Sequence, residues 1–180
     1  MWVTTRRLGL LLCWALGVAA AGLAVALSGP QSSGPPVAAT PVPVVVPASS
    51  TVAAIEVLRA WDERRSRAWS RGDVRALRRL YTPRSRSGRH DRAALASYVD
   101  RGLRVTGLRT QLLAVEVERR TGRLLVLRVT DRMTRAVARG QGRSVVLPRD
   151  EPTSWRLVLR RVAGAWQVAG VSRAPTPGPR

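Results

Sequence analysis

Lysine, asparagine and phenylalanine are missing from this chain of 180 residues, isoleucine occurs once, and there is one cysteine, Cys13, and one histidine, His90. The scarce residues Lys, Asn, Phe and Ile have A/T-rich codons, so a G/C-rich coding sequence has shaped the composition, and arginine is partly a codon choice. A lone cysteine excludes an internal disulfide, and with one histidine it cannot furnish a zinc site. A glycine-rich phosphate-binding loop is missing too. Neither metal nor cofactor is expected, and the length leaves room for one domain with its own core plus extensions.

Codon choice does not explain the excess of positive charge, because exchanging lysine for arginine leaves the balance unchanged. Of 31 basic residues only Arg6 and Arg7 precede residue 51, so 29 arginines stand against all 11 acids. Such a field favours anionic partners. In an extracytoplasmic setting these are lipid headgroups or acidic cell-wall polymers, with nucleic acid the weaker candidate. The plain alternative is a solvated surface that only keeps the protein soluble. Arg64, Arg65, Arg67, Arg71, Arg75, Arg78 and Arg79 fall on two adjoining expected helices, and Arg84, Arg86 and Arg89 follow, so this flank is the expected anionic-surface site.

Residues 8–28 carry no charge, enough at helical rise to cross roughly 30 Å of hydrocarbon. Arg6 and Arg7 precede the run and no basic residue follows until Arg59, which puts residues 1–7 in the cytoplasm and the rest outside a cell membrane crossed once. A cleaved signal with its site near Ala24–Val25–Ala26 is the competing reading, and the length of the run favours an anchor. Cys13 follows Leu12 rather than a small residue, so it reads as part of the membrane helix and not as a lipidation site. Residues 29–50 are proline-rich and uncharged, an expected extended linker, and 174–180 an expected loose tail.

The domain between them, residues 51–173, opens with two helices and a break. Ile55, Leu58, Trp61, Ala68 and Trp69 recur at helical spacing. Gly72 suits the left-handed residue that ends the first helix, and Asp73 the cap of the second, which turns Val74, Leu77, Leu80 and Tyr81 inward. After an arginine-rich loop over 84–90, Asp91 is expected to cap a third helix that closes at Gly102. The period then changes to strands over 105–119, 123–137, 154–162 and 165–171, with a long loop from Arg139 to Pro152. The expected class is α+β: three N-terminal helices on a curved four-stranded antiparallel sheet, preceded by one transmembrane helix.

Ala68, Trp69, Gly72, Asp73, Leu77, Leu80 and Tyr81 form an AW…GD…L..LY pattern which, with Trp166 before Val168 in the closing strand, resembles the nuclear transport factor 2-like superfamily and within it the SnoaL-like branch. The resemblance covers about residues 51–173 and implies a cone-shaped half-barrel, without naming a substrate. The short strand often found between the second and third helices of such domains is replaced here by the arginine-rich loop. Members include isomerases and polyketide cyclases as well as non-catalytic, membrane-anchored accessory parts of envelope transport systems, the Mce-associated proteins among them. A cytoplasmic tail, one span, a linker and this domain are similar in layout to the second group, which implies an envelope protein partner or a homodimer.

No complete nucleophile or acid–base set is present. His90–Asp91 reads as structural. Asp131 shares strand parity with Leu125, Leu127, Val129 and Met133, so it points to their face. In a concave pocket it would be a general base with a raised pKa, as in the related isomerases and cyclases; paired with Arg109 or Arg161 it would not. Trp61, Tyr81, Tyr98 and Trp155, with Trp69 and Trp166, either line a pocket or fill the core in place of phenylalanine.

Overall fold

The computed structural model describes residues 48–174; the expected anchor, most of the linker and nearly all of the tail lie outside them. Among the described residues no helix is long and apolar enough to cross a membrane. The chain runs α1 (Ala48–Arg71), α2 (Val74–Arg78), α3 (Arg86–Asp100), then β1 (Arg104–Arg120), β2 (Leu124–Gly140), β3 (Arg143–Val146), β4 (Thr153–Val162) and β5 (Ala165–Arg173). Three helices followed by an antiparallel sheet is the order the resemblance implies. The sheet has five strands instead of the four expected.

The break between α1 and α2 forms as its residue types dictate. Gly72 takes φ +68°, and the Asp73 carboxylate accepts the Ala76 N–H at 2.8 Å. Two boundaries differ. α1 begins at Ala48, inside the stretch expected as linker, and Ala174, expected as loose tail, is buried with its N–H on the Ser154 carbonyl at 3.0 Å.

α3 corrects the sequence reading more deeply. It starts at Arg86, with Ser85 as its cap accepting the Gly88 N–H at 3.2 Å, so most of the expected loop is helix and Asp91 lies inside it. Glycine at 88 lets the helix rest on Tyr81, because a Cβ there would stand 2.5 Å from the ring. The short strand expected to be lacking survives as one parallel bridge, Tyr81 to Val168.

In the sheet the strand order is β1-β2-β4-β5, and β3 pairs with the far end of β2. Register shifts in the β1–β2 ladder, near Thr106–Thr110, Leu112–Ala114 and Val117–Arg119, bend these two strands of 17 residues each. β3 was hidden in the sequence because all four of its residues are exposed, leaving no alternation to read. A two-residue turn makes it instead: Gln141 and Gly142 both have positive φ, the hairpin geometry that matches strand twist.

The core lies between α1 and the inner face of the sheet, with Leu58, Trp61 and Trp69 against Leu108, Leu127, Val129, Leu157, Leu159 and Val168. Leu125, Leu127, Val129 and Met133 share one face of β2, as their parity requires, and Asp131 stands among them opposite Leu112 of β1 and Thr153 of β4.

Candidate functional site

The buried stripe of α1 runs Ala54, Leu58, Trp61, Arg65, Ala68 and Trp69. An arginine occupies a position where the period calls for an apolar side chain, and Arg65 is only 5% exposed. Its guanidinium forks onto Asp91 of α3, Nε to Oδ2 at 2.8 Å and Nη2 to Oδ1 at 2.7 Å. The same carboxylate accepts the Trp69 indole N–H at 3.2 Å and the Tyr81 hydroxyl at 2.7 Å. Burial works against the charge on Arg65, but the Asp91 carboxylate outweighs it and holds the guanidinium more firmly protonated than usual. Burial and the adjacent carboxylate push the Tyr81 hydroxyl well above its ordinary range. Four donors on one buried carboxylate leave little capacity for a ligand, so this cluster ties α1, the end of α2 and α3 together.

On the sheet side, α1 meets β1 through Ser66, whose hydroxyl donates to the Leu108 carbonyl at 3.0 Å, and Asp62, which accepts from the Thr110 hydroxyl at 3.4 Å. Beside that contact a cavity of about 250 Å³ opens between α1, β1, β2 and β4. Leu58, Trp61, Leu112 and Leu157 supply apolar wall; Asp62, Thr110, Gln111 and Asp131 supply polar groups, and Arg59 borders it. A narrower cleft of about 30 Å³ adjoins it, sharing Thr110 and Asp131 and lined further by Arg65, Asp150 and Trp155.

Asp131 is the ionisable group whose surroundings favour chemistry. Burial and then the charge of Asp62 raise its pKa to about 7, against a smaller opposing pull from Arg65 and a hydrogen bond with Trp155. Burial raises Asp62 as well, opposed first by Arg65 and then by Thr110. The ion pair with Arg109 or Arg161 that would have disarmed Asp131 is not formed: Arg109 is exposed, and Arg161 donates to the Gly164 carbonyl at 3.3 Å. A carboxyl group poised near neutrality beside a partly apolar cavity can accept a proton or donate one.

The expected aromatic residues divide. Trp61 borders the larger cavity and Trp155 the cleft. Tyr81 and Tyr98 border neither; Tyr81 packs edge-on against Trp61 at 5.5 Å, and Tyr98 against Trp69 at 5.7 Å, with Arg101 over the Tyr98 ring at 4.8 Å. Of the expected basic residues Arg71, Arg75, Arg78 and Arg79 are exposed. Arg67 pairs with Glu63 at 3.6 Å and Arg64 donates to the Ala60 carbonyl at 3.0 Å, while Arg65, counted with the flank, is interior. Sequence reasoning missed Asp62 and Arg65. The available signal was their spacing: Arg65 lies four after Trp61 and four before Trp69, and Asp62 four after Leu58.

No protein-family model matches the chain, and no curated protein sequence matches it. Among solved structures it is similar to the intermembrane space region of the chloroplast protein ARC6, with 15% identity over 70% of this chain and 97% of that one and a TM-score of 0.49. It is also similar to a protein from Catenulispora acidiphila, with 15% identity, 69% and 94% coverage and a TM-score of 0.46. A nuclear transport factor 2-like protein with a cystatin-like fold from Novosphingobium aromaticivorans gives 14% identity, 73% and 87% coverage and a TM-score of 0.41. At such identities and scores these are likenesses of shape that carry no argument about activity.

Proposed function

We propose that the chain is a membrane-tethered, extracytoplasmic accessory domain of an envelope assembly or transport system, nuclear transport factor 2-like in its half-barrel, which binds a small apolar ligand or acyl segment without turning it over. The size of the cavity supports only the small-ligand part of this reading. About 250 Å³ lies below the roughly 300–1,000 Å³ of usual small-molecule sites, which favours a short ligand. Tethering rests on the uncharged run at 8–28 and its Arg6–Arg7 flank. Protease added to intact cells is expected to remove the domain and spare the anchor; recovery of protected full-length protein would overturn the topology.

A second reading is favoured by one feature, the neutral-range carboxyl of Asp131. On it, the domain is a SnoaL-like isomerase or cyclase in which Asp131 abstracts a proton beside a carbonyl. The two readings separate on a panel of small hydrophobic ketones incubated with the protein in deuterated buffer. The accessory role predicts no incorporation above background. Deuterium gained next to the carbonyl, and lost in Asp131→Asn, would establish catalysis.

A further inference from the structure

α2 and α3 turn Leu77, Leu80, Leu95 and Tyr98 inward. Outward they present arginine: Arg75, Arg78 and Arg79 on and just after α2, and Arg84, Arg86 and Arg89 at the turn into α3, all exposed. The one acid between residues 71 and 89 is Asp73, whose carboxylate is engaged as the α2 cap. Among the described residues none of these six arginines forms an ion pair. On the sheet, by contrast, Glu116 and Glu118 are taken up by Arg128 and Arg156. The large exposed hydrophobic side chains, Val52, Leu113, Val145, Val146 and Val162, all lie away from this flank.

We propose that the α2–α3 flank is a docking track for a linear, phosphate-bearing polyanion, gripped by Arg75, Arg78, Arg79, Arg84, Arg86 and Arg89. Guanidinium groups meet phosphate oxygens through paired N–H donors, so their chemistry matches a chain of phosphates. A bilayer fits less well. Surface helices that settle on lipid also carry apolar side chains to bury at the headgroup boundary, and this flank exposes none of the large ones. Neither the cavity nor its acids take part.

The test uses the full-length chain in neutral detergent with long-chain inorganic polyphosphate as probe, followed by fluorescence anisotropy. One variant replaces the six flank arginines with glutamine. A second removes the same charge from the sheet and its connecting loops, at the exposed Arg119, Arg123, Arg135, Arg139, Arg143 and Arg149. Two half-variants, 75/78/79 and 84/86/89, guard against misfolding of the full set. The wild type and the sheet variant are expected to bind alike and to weaken as the Debye length falls from about 10 Å at 0.1 M salt to about 3 Å at 1 M. The flank variant is expected to bind at least about tenfold more weakly with a shallower salt dependence, and the half-variants to fall between. Equal loss in both six-fold variants would reduce the effect to net charge. Tighter binding to phosphatidylglycerol vesicles than to polyphosphate would transfer the flank to a bilayer, and no binding to either would remove it; each of these outcomes overturns the proposal.

Discussion

Asp91 and Asp131 both lie under the influence of Arg65, and the domain treats them oppositely. Asp91 receives two guanidinium N–H groups, an indole and a hydroxyl in a packed interior. Asp131 faces a cavity, receives no ion pair, and is pushed toward neutrality by burial and by Asp62. The distinction is one of donor supply. A carboxylate saturated by its own fold is spent on architecture, whereas one that is desolvated and under-supplied keeps its proton within reach of neutral pH and remains available to something else.

The most damaging way to break the comparison is Asp91→Ala, which leaves a buried guanidinium without its partner. A loss of about 3–5 kcal/mol is expected in urea unfolding, and the double change Arg65→Met with Asp91→Leu should recover most of it, since replacing a buried pair by apolar groups is far gentler than splitting it. A small loss in Asp91→Ala would mean that the cluster does not hold the helices.

Asp131→Asn addresses the other carboxyl. Its folded pKa of about 7 is above its unfolded value, so its contribution to stability is fully present below about pH 4 and disappears as the pH rises through about 7. The amide variant should match the wild type near pH 4 and exceed it by roughly 2–4 kcal/mol at pH 8, less whatever residual water reaches the cavity. Identical stability curves for the two proteins, or a carboxyl carbon that titrates near pH 4 by NMR, would place Asp131 with ordinary surface acids.

Gly88→Ala gives the smallest of the three effects and strikes the cluster indirectly. The new methyl group would meet Tyr81 Cγ at 2.5 Å and lever its hydroxyl away from Asp91. A cost of about 1–3 kcal/mol is expected, typical of overpacking, with the Asp131 titration unchanged. An altered Asp131 titration would show that the two carboxyl sites are mechanically coupled.

What sequence reveals here follows from the range of the interactions involved. The Gly72–Asp73 break is settled by neighbours in the chain, and it reads correctly; strand parity is a local rule too, and it points Asp131 to the right face. Asp91 does not read correctly, because Ser85 and Asp91 are both capping residue types and the choice between them is made by Gly88 resting on Tyr81, a tertiary contact. Arg65 is discounted when a helix is scored by its apolar residues, although its place in the stripe marks it. Asp62 acquires meaning only from Thr110 and the cavity, which belong to a strand more than 40 residues later.

The bridge between Tyr81 and Val168 has a bearing on how the protein is made. It is fastened on both sides, Val168 N–H to the Leu80 carbonyl at 2.9 Å and Thr82 N–H to the Val168 carbonyl at 3.1 Å, and it joins residues 87 positions apart. A ribosome delivers the helices long before it delivers β5, so the turn that carries Tyr81 toward Asp91 has to wait for the last strand before its backbone is satisfied. A product that ended before Val168 would retain all three helices and most of the sheet, yet lack the β5 backbone partners of Leu80 and Thr82. The final strand thus acts as a latch on the segment that joins α2 to α3.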